Sequence, residues 1–144
     1  MVQVLLAATG EAWEADVVRT LSRPGSSLVL VRRCMDVVDA VATAASGLAE
    51  VVLVGRALPG LDSDVLARLV EVAAVPVGVV DDLQGADARA LRAMGLYLLV
   101  EWSRVDELAQ QFVGVENGRR AVVDAGTLGQ GWTAALGQSG KVEV

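Results

Sequence analysis

The chain has 144 residues, 53% hydrophobic and 21% charged, with 12 basic against 18 acidic side chains and a net charge of −6; this suits one globular domain and excludes a disordered chain. The absence of histidine and the single cysteine, Cys34, exclude a zinc centre, a Ser-His or Cys-His catalytic pair and an internal disulfide, and fit a reducing cytosol. The negative charge sits in residues 1–114, which hold 9 Arg against 15 acidic residues; such a surface repels phosphates, so no direct nucleic-acid partner is expected.

Mean hydropathy is +0.50, yet the apolar runs are strand-sized and broken by charge, far short of the ~20 residues of a membrane span. No charged segment precedes an apolar stretch at the N-terminus, so a cytoplasmic chain without a signal peptide is expected. Aromatic residues make up 3%, which leaves the core to Val, Leu and Ala.

In chain order, Val2–Ala8 reads as a buried strand. Glu11–Leu21 follows as a helix with Trp13, Val17, Val18 and Leu21 on one face. Arg23-Pro24-Gly25 is a turn, Leu28–Val31 a second strand, and Asp36–Ala45 a helix with Val37, Val38, Val41 and Ala45 inward, stopped at Gly47. Val51–Val54 is a third strand, broken by Leu58-Pro59-Gly60. Asp62 or Ser63 caps a helix running to Val72. Val75–Val80 is a fourth strand, Gly85–Met94 a helix ended by Gly95, Leu96–Val100 a fifth strand, and Ser103 caps a fifth helix, Arg104–Val113. Residues 115–144 carry little periodicity beyond a short candidate strand at Ala121–Val123, and read as a linker or tail.

Five βα units with fully apolar strands predict an α/β fold of the flavodoxin-like (βα)5 type: a doubly wound parallel sheet, strand order 2-1-3-4-5, helices on both faces and right-handed crossovers. In such a sheet the functional surface lies at the C-terminal strand ends. Those ends are Ala7-Ala8, Arg32-Arg33, Gly55, Val80-Asp81 and Val100-Glu101.

The segment from Val51 through Gly55, Arg56, Leu58-Pro59-Gly60 and Leu61 to Asp62 resembles the third strand and following loop of response-regulator receivers, and the resemblance covers about residues 1–114. In that family the phosphoacceptor Asp stands four residues before the Pro of the Pro-Gly pair; here that position is Gly55. The metal-holding acidic pair after the first strand falls on Ala7 and Ala8. The hydroxyl residue ending the fourth strand falls on or near Asp81. The lysine ending the fifth falls near Glu101 or Trp102, and no lysine precedes Lys141. Phosphoryl transfer needs a carboxylate nucleophile, a cation on the phosphoryl oxygens and a metal. The matching positions offer none of these, so the expectation is a pseudo-receiver with no catalytic residue, no metal and no cofactor.

A finer resemblance is to the receiver-like domains that precede the ATPase domain of actinobacterial CpaE/TadZ-like and septum-site-determining proteins of the MinD/ParA family. It is carried by Arg33-Cys34-Met35-Asp36-Val37-Val38-Asp39 and by the Leu58–Asp62 loop. Ser139-Gly140-Lys141-Val142-Glu143-Val144 is similar to the first strand of that ATPase domain. The resemblance implies an N-terminal targeting or regulatory domain for pilus assembly or septum placement, followed by an ATPase domain beyond this chain.

Other signals have plainer readings. Gly129-Gln130-Gly131-Trp132-Thr133-Ala134 matches a dinucleotide fingerprint only on paper, since no βαβ unit surrounds it, and Gly140-Lys141 lacks the first glycine and the Ser/Thr of a P-loop. Asp81-Asp82 reads as a solvated loop and cap, and Cys34 as a small core residue. Arg32, Arg33 and Arg56 form a candidate anion patch. Trp102, following the fifth strand, is a candidate exposed hot spot. With Leu58 and Leu61 these are the candidate interaction residues, for a protein partner or self-association. Two alternatives remain: a stand-alone small-molecule sensor using the strand-end crevice, and a flavodoxin-like enzyme, for which no nucleophile–base pair is visible.

Overall fold

In a parallel sheet covered on both faces, successive side chains of one strand enter opposite cores, so a central strand is apolar at every position. The structure, a computed structural model, describes residues 2–108. Its strands β1 (Val2–Ala7), β2 (Leu28–Cys34), β3 (Val51–Gly55), β4 (Val75–Val80) and β5 (Leu99–Glu101) form one parallel sheet in the order β2-β1-β3-β4-β5. This is the expected flavodoxin-like (βα)5 fold.

Val4, Leu6, Leu53, Val77 and Val79 enter one core with Trp13, Val17 and Leu21 from α1 (Glu14–Leu21) and its approach. The 3₁₀ helix η1 (Trp102–Glu107) and the residue after it complete this layer with Val105 and Leu108. On the other face Leu5, Ala7, Val52 and Val54 meet Ala40 and Ala44 of α2 (Val37–Ala45) and Leu69 of α3 (Ser63–Glu71). Val80 and Leu99 extend that layer toward Ala88 and Leu91 of α4 (Ala86–Ala93). Two helix starts are fixed by side-chain caps: Asp36 Oδ1 accepts the Asp39 N–H at 2.8 Å, and Asp62 Oδ1 accepts the Val65 N–H at 2.9 Å, each satisfying a donor the helix leaves free.

Several expectations are corrected. Strand β2 continues past Val31 to Cys34, with a register shift between Val4 and Leu5 that leaves Val31 as an extra residue on the edge strand; bulges and charges on an edge discourage pairing with a second sheet. Helix α2 turns Ala40, Thr43 and Ala44 inward, while Val38 is 76% exposed and Ala45 is also exposed. Its sequence is apolar nearly all round, so periodicity does not choose a face. The fifth strand is shorter than Leu96–Val100, although Leu96 and Leu98 are buried. The last described element begins at Trp102 with no side-chain cap, so Ser103 lies inside it. The remainder of the expected fifth helix, the 1–114 boundary, Ala121–Val123, Trp132, Lys141 and the rest of 115–144 lie outside the described residues.

Gly78 sets the closure of β4 onto α4 and β5. A β-carbon there would fall 2.6 Å from Leu99 Cδ2 and 2.8 Å from Leu91 Cδ1, inside van der Waals contact. Gly78→Ala is therefore expected to destabilise the domain by about 1–3 kcal/mol through overpacking, measured as a lower urea midpoint at unchanged m-value.

Candidate functional site: the strand-end crevice

The parallel registers bring the carboxyl ends of the central strands to one level. Ala7 lies opposite Val54 and Gly55 opposite Val79, while Val80 lies opposite Glu101. Ala7, Ala8, Gly55, Asp81 and Glu101 are thus gathered around one crevice. All three of Ala7, Ala8 and Gly55 are buried, Ala7 toward the α2 face and Ala8 toward the α1 face beside Gly55, whereas Asp81 is exposed. Glu101 turns back to the loop after β4, where its Oε2 accepts the Leu83 N–H at 3.1 Å. In that loop Asp82 Oδ1 accepts the Gln84 N–H at 2.9 Å, and Arg89 donates to the Gln84 carbonyl at 2.9 Å. Asp82 therefore acts as a turn-former.

Glu11, expected as the first residue of a helix, occupies the centre. The helix starts later, at Glu14, which leaves Glu11 in the β1–α1 loop with its side chain lying over Gly55. A β-carbon at Gly55 would fall 2.8 Å from Glu11 Oε2, 2.9 Å from Glu11 Cγ and 3.0 Å from the Ala8 β-carbon. The same Oε2 accepts the Ala57 N–H at 2.8 Å. The one signal for this contact in the sequence is Gly55 itself, because a glycine inside a strand marks close approach by another group.

The electrostatics of Glu11 follow from its place. Burial pushes its carboxyl above the ordinary 4.5, the Ala57 N–H opposes that shift, and Asp87, Glu14 and Asp81 reinforce it by repulsion. Glu14 connects the crevice to β2: its Oε2 accepts the Glu11 N–H at 2.7 Å, and its Oε1 accepts from Arg33 Nη2 at 3.1 Å.

The candidate anion patch is altered by pairing. Arg33 is engaged with Glu14, and Arg32 donates to both carboxylate oxygens of Asp39 at 3.0 and 3.2 Å. Arg56 is exposed and makes no ion pair among the described residues. Cys34 is buried, 3.8 Å from Thr43 Oγ1, and burial pushes its thiol up, which keeps it protonated.

Three interaction candidates are corrected or reduced. Leu58 is 4% exposed and belongs to the α2–α3 core, so no partner reaches it. Leu61 is half-buried between the two clusters on that face. Trp102 is half-buried against the α1 core, because η1 folds its first turn back over the sheet. Among the described residues, the large apolar side chains left outward are Met35, 66% exposed, and Val38 at the start of α2, with Leu48 and Tyr97 less so.

No family model matches the sequence, and no curated protein matches it. Solved structures that share the fold include two receiver domains. The signal receiver domain of a protein described as the response regulator NarL, from Mycobacterium tuberculosis, is 22% identical with a TM-score of 0.60, over 82% of this chain and 98% of that one. A two-component response regulator of the LuxR family from Aurantimonas sp. SI85-9A1 is 21% identical with a TM-score of 0.57, over 83% and 88%. The chain therefore has the fold of a response-regulator receiver domain. At the carboxyl ends of β1 and β3 in this fold stand Ala7, Ala8 and Gly55, with the Glu11 carboxylate over Gly55.

Two outcomes test this geometry. Trp102→Ala is expected to cost about 1–3 kcal/mol of folding stability, since part of a large core side chain is lost; chemical denaturation measures it. The second concerns pH. A carboxyl raised above its unfolded value binds its proton more tightly in the folded state. The stability it contributes is fully present below 4.5 and is lost as pH rises through the raised folded value. Glu11→Gln keeps an acceptor for Ala57 and removes the charge, so it is expected to raise the neutral-pH Tm by a few degrees. It also flattens the rise of Tm between pH 7 and pH 5, followed by calorimetry.

Proposed function

We propose that this chain is a non-catalytic pseudo-receiver: a regulatory or interaction module in which the strand-end crevice carries no phosphotransfer. The observation that carries this reading is the Glu11 side chain over Gly55, with the Ala57 N–H already engaged. A phosphoacceptor would need a side chain at that strand end and open space above it for the incoming phosphoryl group. Alanines at 7 and 8 supply no oxygen for a divalent cation, and Asp81 with Glu101 adds negative charge where a phosphoryl dianion would arrive.

The partner we propose is a MinD/ParA-type ATPase acting in pilus assembly or septum placement, reached by protein contact in the cytoplasm. It is supported by the likeness of the Arg33–Asp39 and Leu58–Asp62 segments to the domains that precede such ATPases. Among the described residues no helix is long and apolar enough to cross a membrane. Contact through the outward Met35 and Val38 is compatible with a module that works by binding, since exposed apolar side chains grouped near one loop are a common feature of protein interfaces.

The test has two arms. Incubating the full chain with acetyl phosphate and Mg²⁺ is expected to leave its intact mass unchanged; a stable gain of ~80 Da, the mass of a phosphoryl group, refutes the non-catalytic reading. Titrating the chain into a MinD/ParA-type ATPase from the same cells is expected to change its ATP turnover. Unchanged turnover together with no binding by calorimetry refutes that partner and leaves the first arm standing.

A further inference from the structure

The loop after β3 is held from two sides. On the sheet side Leu58 is buried and its N–H reaches the Gly55 carbonyl at 3.1 Å. Further along, Gly60 lies so close to α2 that a β-carbon there would sit 3.0 Å from Val37 Cγ2. At the crevice, Ala57 donates to Glu11. Behind Glu11 the chain of contacts continues through its own N–H to Glu14 and from Glu14 to Arg33. One line of hydrogen bonds thus runs from β2 through the β1–α1 loop to the β3–α3 loop, across the mouth of the crevice.

The occupied space is the decisive feature. Glu11 Oε2 and Cγ stand within 3 Å of where any β-carbon at position 55 would be, so a side chain at 55 and the Glu11 carboxylate exclude one another. We propose that Glu11 is an intramolecular ligand of the strand-end crevice: it takes the space of the missing β3 side chain and latches the β3–α3 loop to the β1–α1 loop, so that the loop's position is set from within the chain.

Glu11 is in this sense a positioning residue. The charged groups that act on it are Asp87 on α4, Glu14 on α1 and Asp81 after β4, all acidic, and Glu14 also holds Arg33. Like charges and burial both work against the ionised latch, and the Ala57 N–H works for it.

The inference goes with the absence of an acceptor at Gly55 but does not depend on the identity of any partner, and its test involves no phosphoryl chemistry. Amide exchange at Ala57 is followed by NMR in the full chain. Glu11→Ala is expected to accelerate it at least tenfold while β3 and β4 core amides keep their protection. Glu11→Gln, which retains an acceptor oxygen, restores most of that protection and separates the hydrogen bond from the charge. Gly55→Ala reads the same contact without altering Glu11: displacing the carboxylate is expected to accelerate Ala57 as well. In a Glu11→Ala background the added Gly55→Ala change has a much smaller effect on Ala57 exchange and on the urea midpoint. The Ala8 contact is common to both backgrounds and cancels in the cycle. Ala57 exchange unchanged in Glu11→Ala, or fully additive effects of the two substitutions, overturns the proposal.

Discussion

A five-stranded parallel sheet in water stands or falls on covering both of its faces, and every other feature of this domain is subordinate to that requirement. The inner strands β1, β3 and β4 are buried almost throughout, so their sequences hold little but Val, Leu, Ala, Gly and Pro. Polar chemistry is consequently driven to the ends of the strands, where the chain leaves the sheet. The closeness of the coverage has a local requirement too: Gly78 removes a side chain where Leu91, Leu96 and Leu99 converge on β4, and the α4 layer settles only because that space is empty.

That requirement also explains where the sequence was legible. Strand β4 was read at Val75–Val80, its full extent, because Pro76 and a continuous apolar run leave little choice. Strand β2 looks shorter in the sequence because Arg32 and Arg33 look like its end. On an edge strand, however, side chains can reach water from the sheet margin, and both guanidiniums find carboxylates in neighbouring elements. Helix α2 was legible as a helix but not in its facing, since valine and alanine alternate around it. The tighter packing belongs to the alanines, which let the helix approach Cys34 and β1 closely.

The candidate site was legible only in part. The convergence of Ala7, Ala8, Gly55, Asp81 and Glu101 follows from topology, which five βα repeats determine. What each position does there does not follow. Leu58 lies in a loop whose Pro-Gly pair suggests exposure, yet the turn folds it under α2 and α3. Trp102 reads as a candidate exposed hot spot because it follows the fifth strand, whereas η1 turns it half-buried onto the α1 layer. Glu11 was missed because its partner is 46 residues away, and a hydrogen bond to a main-chain N–H leaves no mark in side-chain patterning.

Gly55 and Glu11 are best understood as one feature. A glycine closing a buried strand removes packing and adds backbone freedom to the unfolded chain, both unfavourable. Left alone, the space above it would be either an uncompensated void or a wet notch against the Ala8 β-carbon. The carboxylate from the β1–α1 loop fills it and satisfies the Ala57 N–H, which has no strand partner beyond the end of β3. A carboxylate is not the easiest group for the purpose, because burial and three acidic neighbours raise its proton affinity, and an amide of the same shape would meet neither objection. Groups that burden the folded state in this manner tend to lie at places where a protein works. The burden here falls on the loops that frame the strand ends, and it reaches α2, because Gly60 of the latched loop rests on Val37, the chain neighbour of the exposed Val38.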